Sequence, residues 1–224
     1  MPEPLLSIVV PVGPGDRLDH RLHSALDTRP ENCELIISAA GTAPAAWPQG
    51  ARTQVGPAGR GRQLNAGAQA ARAAWLWFLH ADSVIRSDAV EAALAFARQG
   101  TAAIGYGWLR FLPDGPALTR LNALGANLRS RLLGLPYGDQ GLCIAADALR
   151  GLGGFRADLE RGEDLDLIVR ARSAGLPARP MGLTIATSAR RYGRRGWLRS
   201  SWQHQLEAWR LIRAARAASR PRSA

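Results

Sequence analysis

The chain has 224 residues, of which 46% are hydrophobic and 21% charged, with a formal net charge of +11. That length and balance suit one domain with a full hydrophobic core and exclude wholesale disorder. Cys33 and Cys143 lie far apart in the sequence and fit neither a metal-ligand spacing nor a disulfide scaffold, so a reducing, cytoplasmic setting is expected. Met1-Pro-Glu-Pro4 runs straight into a strand with no basic-then-apolar leader. No apolar run approaches the ~18 to 20 residues needed to span a bilayer. The charge itself is local. From Arg190 to Ala224 there are ten arginines and one acid, Glu207, which leaves the other 189 residues with only +2. All the cationic side chains are arginine; lysine is absent.

In chain order, Leu5–Val10 reads as a first strand and Pro11–Asp16 as the loop after it. A helix is predicted over Leu18–Asp27, a strand over Glu34–Ser38, a Pro-rich connection over Ala39–Gly50 and a short strand over Thr53–Val55. A helix over Gly61–Ala73 precedes the strand Trp75–Leu79, and a helix over Ser87–Gln99 follows it. Strand and helix thus alternate with short links, the pattern of a parallel sheet covered by helices on both faces. The second half is less regular. It offers a strand over Ala102–Phe111, a helix over Pro116–Leu133 with arginines on its outer face, and a strand over Gly141–Ala145. A short helix near Asp147–Leu152, a turn at Gly153-Gly-Phe155 and a helix over Leu165–Ala174 complete it. One α/β domain is expected over residues 1–196, followed by a basic C-terminal segment over 197–224.

Three acidic positions stand at element ends. Trp75-Leu-Trp-Phe-Leu79 is an apolar run that stops at His80-Ala-Asp82, and the carboxyl ends of parallel strands are where such sheets bind ligands. A carboxylate there can hold a divalent cation against a phosphate. The plainer alternative is that Asp82 and Ser83 only cap the next helix. Asp139 sits in the Gly-flanked loop Leu135-Pro-Tyr-Gly-Asp-Gln-Gly141. Glu163 and Asp164 open a helix, where its dipole favours acids, and a carboxylate so placed is also what a hydroxyl nucleophile needs as a base. Gly59-Arg-Gly-Arg-Gln-Leu-Asn-Ala-Gly67 brings Arg60, Arg62 and Asn65 to a helix N-terminus, a natural anion site, without being a phosphate-loop signature.

Taken together, Leu6–Pro11, Gly59–Gly67, Phe78–Asp82, Tyr137–Gln140, Gly153–Phe155 and Glu163-Asp164 resemble bacterial glycosyltransferase family 2, which has the GT-A fold. The resemblance covers roughly residues 5–200. It is strongest to a small soluble subgroup with His-Ala-Asp in place of Asp-x-Asp, some members of which have been linked to arsenosugar synthesis. The resemblance implies a GT-A-like, mostly parallel sheet and a nucleotide-sugar donor. Pro11, Arg60, Arg62, Asn65, His80 and Asp82 would lie on the donor side, with Mg²⁺ or Mn²⁺ on Asp82. Asp139 and Gln140 would lie on the acceptor side. Asp164 would be the general base and Glu163 its structural neighbour. Two positions depart from the family pattern: Gly13-Pro-Gly-Asp16 replaces a polar pair after the first strand, and Ala39-Ala-Gly-Thr42 replaces Asp-Gly-Gly-Ser after the second. The Asp missing at position 39 is the one that commonly reads the donor's base or ribose.

The implied reaction is a metal-dependent, inverting transfer of a sugar to an acceptor hydroxyl, the acceptor itself being unspecified by the residues. Two rivals stay open: a degenerate GT-A domain that binds a membrane or a partner, and a nucleotidyltransferase on a related sheet. In the basic segment, Leu198, Trp202, Leu206, Trp209 and Ile212 share one helical face, with arginines mostly on others. That pattern suits an anionic bilayer surface, and equally a stripe packed on the domain. His204 offers a metal or phosphate contact or a surface residue. The aromatic and basic residues form no base-reading module, so no nucleic acid is expected as a partner.

Overall fold

The computed structural model describes residues 3–41 and 47–190. The C-terminal helix expected over 197–224, His204 and Thr42 lie outside the described residues. Among the described residues there are seven strands and six α-helices, mostly in alternation. They are β1 (Leu6–Val12), α1 (His20–Asp27), β2 (Cys33–Ala40), β3 (Arg52–Gly56), α2 (Arg60–Ala70), β4 (Trp75–Phe78), α3 (Asp88–Arg98), β5 (Ile104–Phe111), α4 (Thr119–Leu133), β6 (Cys143–Ala145), α5 (Ala146–Gly151), α6 (Glu163–Ser173) and β7 (Ala178–Thr187), with a 3₁₀ turn at Gly138–Gln140 before β6.

The strands form one sheet in the order β3-β2-β1-β4-β6-β5-β7. β1 pairs in parallel with β2 and β4, β2 with β3, and β5 with β7; only β6 runs against its neighbours. The alternation along β1 divides the core. Leu6, Ile8, Val10 and Val12 face one layer with α1, α3 and the inner residues of β7, while Val9 faces the other with α2, α5 and α6. Trp77 and Leu79 join the first layer, Leu76 and Phe78 the second. β1, β2 and β4 are therefore buried on both faces, which is why they read as apolar runs, whereas the edge strands β3 and β7 are partly exposed.

Two features depart from the sequence expectation. β7 was not anticipated, because Pro180 and Gly182 interrupt its pattern, and both residues demote a strand in a sequence reading. It is an edge strand, where proline is tolerated, and Met181, Leu183 and Ile185 alternate inward beneath it. α4 was expected to present arginines outward. Arg120 and Arg131 do so, but the outer face also carries Leu121, Leu124, Leu128 and Leu132, all exposed, while Ala123, Ala126 and Ser130 face the protein.

Chain order reverses direction at β1: β2 lies on one side and β4 on the other. A crevice opens beyond the carboxyl ends of strands at such a switch point. Gln63, on α2, clamps its rim by donating from its side-chain nitrogen to Val12 O (2.7 Å) and Ser38 O (2.9 Å), fixing β1 to β2 where both end.

Candidate active site

The His80-Ala-Asp82 turn leaves β4 at this edge and is held from both directions. The Ser83 hydroxyl accepts from His80 N at 3.2 Å, and Ser83 N donates back to His80 O at 3.0 Å. The next residue, Val84, forms an antiparallel bridge with Ala186, just before the end of β7. The helix that follows begins after Ser87, so neither Asp82 nor Ser83 caps it. Ser83 is buried and Asp82 exposed, which leaves the carboxylate free to face the crevice. The plain capping account therefore fails, and the turn exists to hold its own shape.

Asp164 reaches the same place from α6. Its Oδ1 accepts from Leu165 N at 2.8 Å and its Oδ2 from Gly138 N, so two backbone amides aim one carboxylate. Position 138 is where three motifs meet. A Cβ there would stand 2.6 Å from Asp164 Oδ2 and 3.0 Å from His80 Nε2, so only glycine lets the imidazole, the carboxylate and the Tyr137–Gln140 loop close together. Stretches of sequence some eighty residues apart thus converge on one point.

Glu163, beside Asp164, is 2% exposed and paired with Arg60 (Nε–Oε1 2.9 Å). Burial, reinforced by the neighbouring Asp164 charge, pushes its carboxyl above the usual range, against the pull of Arg60. The pair ties the start of α2 to the start of α6. Arg60 thus spends its Nε on the scaffold, whereas Arg62 is exposed at the same helix N-terminus.

Asp139 is the most perturbed acid of the group. Burial, then the charges of Asp164 and Asp82, raise its pKa from 3.8 to about 6, opposed by Arg129 and Arg60. Its Oδ1 is buried and accepts no hydrogen bond within the described residues. Arg129, from the inner side of α4, lies 3.5 Å above the Tyr137 ring and donates from Nε to Leu135 O at 2.9 Å. Its Nη2 is likewise buried without a partner. Burial draws this guanidinium below its usual pKa, while Tyr137, Asp139 and Asp164 pull it back. An unspent acceptor in this loop and an unspent donor on the helix packed against it thus remain, each costly unless something else completes it.

The other expected residues divide clearly. Pro11 is buried within β1, at the rim of the crevice. Asn65 bridges both backbone groups of Phe155, donating to its O (2.8 Å) and accepting from its N (2.8 Å), so its amide holds the Gly153-Gly-Phe155 turn. Gln140 is fully buried: its Oε1 accepts from the Ser130 hydroxyl (2.7 Å) and Tyr137 N (3.2 Å), and its Nε2 donates to Gly107 O (3.0 Å). Asn65 was expected on the donor side and Gln140 on the acceptor side. Their amides are instead engaged inside the protein, and they position the loops that carry the site. Arg129 and Gln63 were not singled out in the sequence. An arginine in a leucine-rich helix and a glutamine in the second turn of another carry no motif of their own.

For a divalent cation, Asp82 offers an exposed hard oxygen donor at this edge, close enough to Asp139 for their charges to interact, as Asp164 also is. Among the described residues no group of three His, Cys, Asp or Glu side chains is arranged to hold an ion by itself. The residues fit a cation whose remaining ligands are phosphate oxygens and water, the manner in which Mg²⁺ is commonly held. Ala39 and Ala40, buried at the end of β2, put no acid where a base or ribose would be read.

The sequence profile described as glycosyltransferase like family 2 matches residues 45–181. No curated protein matches the chain. Among solved structures, S. aureus TarS 1–349 in complex with UDP-GlcNAc superposes with a TM-score of 0.62 at 13% identity, covering 82% of this chain and 58% of that one. The same protein in complex with UDP gives 0.65 at 13% identity, with 94% and 65% covered. The longer S. aureus TarS gives 0.61 at 13% identity, with 83% and 37% covered. The chain therefore spans less than two thirds of the length of each, and the likeness is one of fold.

Proposed function

This chain belongs to glycosyltransferase like family 2, and from that premise we propose that it transfers a sugar from a nucleotide-sugar donor to an acceptor hydroxyl with inversion. The observation that carries the reading is the convergence of His80, Asp164 and the Tyr137–Gln140 loop on Gly138, beside the exposed Asp82. Asp164 is the base. Its fixed carboxylate takes the proton from the acceptor oxygen as that oxygen attacks the anomeric carbon and the nucleoside diphosphate leaves. Asp82 would hold Mg²⁺ or Mn²⁺ against the diphosphate, and such an ion supplies charge stabilisation to the leaving group when bound. The S. aureus TarS complexes with UDP and UDP-GlcNAc support a uridine nucleotide as the first donor to try.

Arg62, exposed at the open N-terminus of α2, is placed to meet phosphate as an anion. On the acceptor side, the unpartnered Asp139 Oδ1 and Arg129 Nη2 suit a polar acceptor that brings both a donor and an acceptor group. The resemblance to the His-Ala-Asp subgroup makes precursors of arsenosugars one acceptor class to assay. We place the enzyme in the cytoplasm, peripheral to an anionic membrane surface. Support comes from the ten arginines and the Trp-bearing stripe after Arg190, and no helix among the described residues is long and apolar enough to cross a membrane.

The test is donor turnover by Asp164→Asn. Transfer, or donor hydrolysis where no acceptor is supplied, should fall about 10²–10⁴-fold while nucleotide binding persists. Equal turnover would remove Asp164 from the chemistry.

A further inference from the structure

α4 is built back to front for a surface helix of a freely soluble protein. Thr119, Ala123, Ala126 and Ser130 face inward, small residues that let the helix lie close on β5. Asn127 fastens it there, accepting from Leu109 N (2.8 Å) and donating to Leu109 O (3.0 Å). The large apolar side chains all point the other way. Leu121, Leu124, Leu128 and Leu132 recur at spacings of three and four, one stripe on the outer face, and Leu132 is 68% exposed. Leu118 and Leu133 extend the stripe at both ends, at 49% and 54% exposure. Single exposed leucines need no explanation, but a stripe running the ~20 Å length of a four-turn helix does.

The charges around the stripe say what covers it. α4 contains three arginines, Arg120, Arg129 and Arg131, and no acid. Arg120 and Arg131 are exposed beside the leucines, while Arg129 turns inward to Tyr137. Leucines flanked only by arginines match a surface that is apolar within and anionic at its rim. The basic segment after Arg190 starts at the same place. Asp114, just ahead of α4, accepts from the Ser188 hydroxyl and from Ala189 N, both at 2.7 Å, and pairs with Arg190 Nε at 3.3 Å. The described residues therefore end beside the α4 N-terminus, with 191–224 still to follow. The charge of 191–224 argues against their being the cover, because packing them on α4 would crowd arginine against arginine. A common anionic partner accommodates both. A second copy of the chain would bring the same positive rim against itself.

We propose that the outer face of α4 is a docking surface for an anionic phospholipid bilayer, with Leu121, Leu124, Leu128 and Leu132 entering the acyl boundary and Arg120 and Arg131 meeting lipid phosphates. This shares its partner with the reading of the basic segment, but it rests on a separate face. It also orients the site. Ser130 and Arg129, on the inner side of the same helix, hold Gln140 and Tyr137, so the loop carrying Asp139 hangs directly behind the docked face. An acceptor borne in or made at that membrane would arrive beside Asp164.

The experiment is co-sedimentation of the full chain with vesicles of phosphatidylcholine containing phosphatidylglycerol, and with vesicles of phosphatidylcholine alone. Wild type should partition onto the anionic vesicles. Leu121→Gln/Leu128→Gln should partition roughly tenfold less or weaker still, with an unchanged Tm and unchanged calorimetric binding of UDP. Leu124→Gln/Leu132→Gln is a second, independent pair and should behave alike. Wild-type partition by both pairs would overturn the proposal while leaving the basic segment as a membrane anchor. A Tm lowered by several degrees with partition unchanged would overturn it in favour of an internal cover. A concentration-dependent dimer lost in the variants, without vesicle binding by wild type, would overturn it in favour of a second copy. Loss of UDP binding by wild type would count against the transferase reading alone.

Discussion

The two ends of the central sheet each bury an acid, and they treat it in opposite ways. At the amino end, Glu34 accepts from the Ser7 hydroxyl (2.6 Å) and Arg72 N (2.6 Å) on one oxygen, and from Arg52 (2.9 Å) and the Arg72 side chain (3.0 Å) on the other. Burial alone would raise its carboxyl, but these hydrogen bonds prevail and hold it below the usual range. At the carboxyl end, Asp139 has an oxygen with no partner and the charges of Asp164 and Asp82 for company, and it rises to about 6. Glu34 is spent on structure, whereas Asp139 keeps an oxygen with no partner among the described residues, as a ligand-binding group would.

Removing charge from each end separates the two roles. Asp164→Asn should give the largest loss of turnover, about 10²–10⁴-fold, with the fold and nucleotide binding retained; thermal unfolding alongside initial rates checks this. Glu34→Ala should do the reverse. It strands Ser7 and the backbone amide of Arg72, and should cost about 2–3 kcal/mol of stability, read by denaturant unfolding, with donor affinity kept in whatever folds. If Glu34→Ala impaired donor affinity as Asp82→Ala should, the contrast between the ends would be lost.

A subtler break is Gly138→Ala. The added methyl would press on Asp164 Oδ2 and His80 Nε2, so transfer should fall on the order of 10–100-fold with a smaller change in stability. Activity at wild-type level would mean that the three motifs need not meet there. The smallest expected effect is on stability against pH. The folded pKa of Asp139 lies above its ordinary 3.8, so the folded state binds the proton more tightly. Asp139 therefore costs little near pH 4 or below, and its cost grows as pH rises through about 6. Asp139→Asn should stabilise the protein by about 1–3 kcal/mol at pH 7.5, the gain vanishing near pH 4. A pH-independent difference would place the carboxylate in ordinary contact with solvent.

The parts of this molecule written plainly in the sequence are those fixed by local pattern. β1, β2 and β4 are short apolar runs because both faces are covered, and His80-Ala-Asp82 is visible because polarity begins abruptly where β4 ends. β7 was hidden because Pro180 and Gly182 are permitted only by its place at an edge, which is a property of the whole sheet. Asn65 and Gln140 were placed on the donor and acceptor sides by the resemblance, from the motifs they stand in. Only the folded chain brings Phe155, Gly107 and Ser130 within reach to use them first. Arg129 was hidden for the converse reason. Helical spacing puts it near the edge of the leucine stripe, and its turn inward depends on Tyr137, a contact between segments.

The measurement closest to the central claim is calorimetric titration of UDP and UDP-sugars, with and without Mn²⁺, into wild type, Asp82→Ala and Glu34→Gln. Metal-dependent binding that Asp82→Ala loses and Glu34→Gln keeps is the predicted result, and it would locate the donor at the carboxyl edge despite Ala39. Binding by no nucleotide, or binding indifferent to Asp82, would contradict the account.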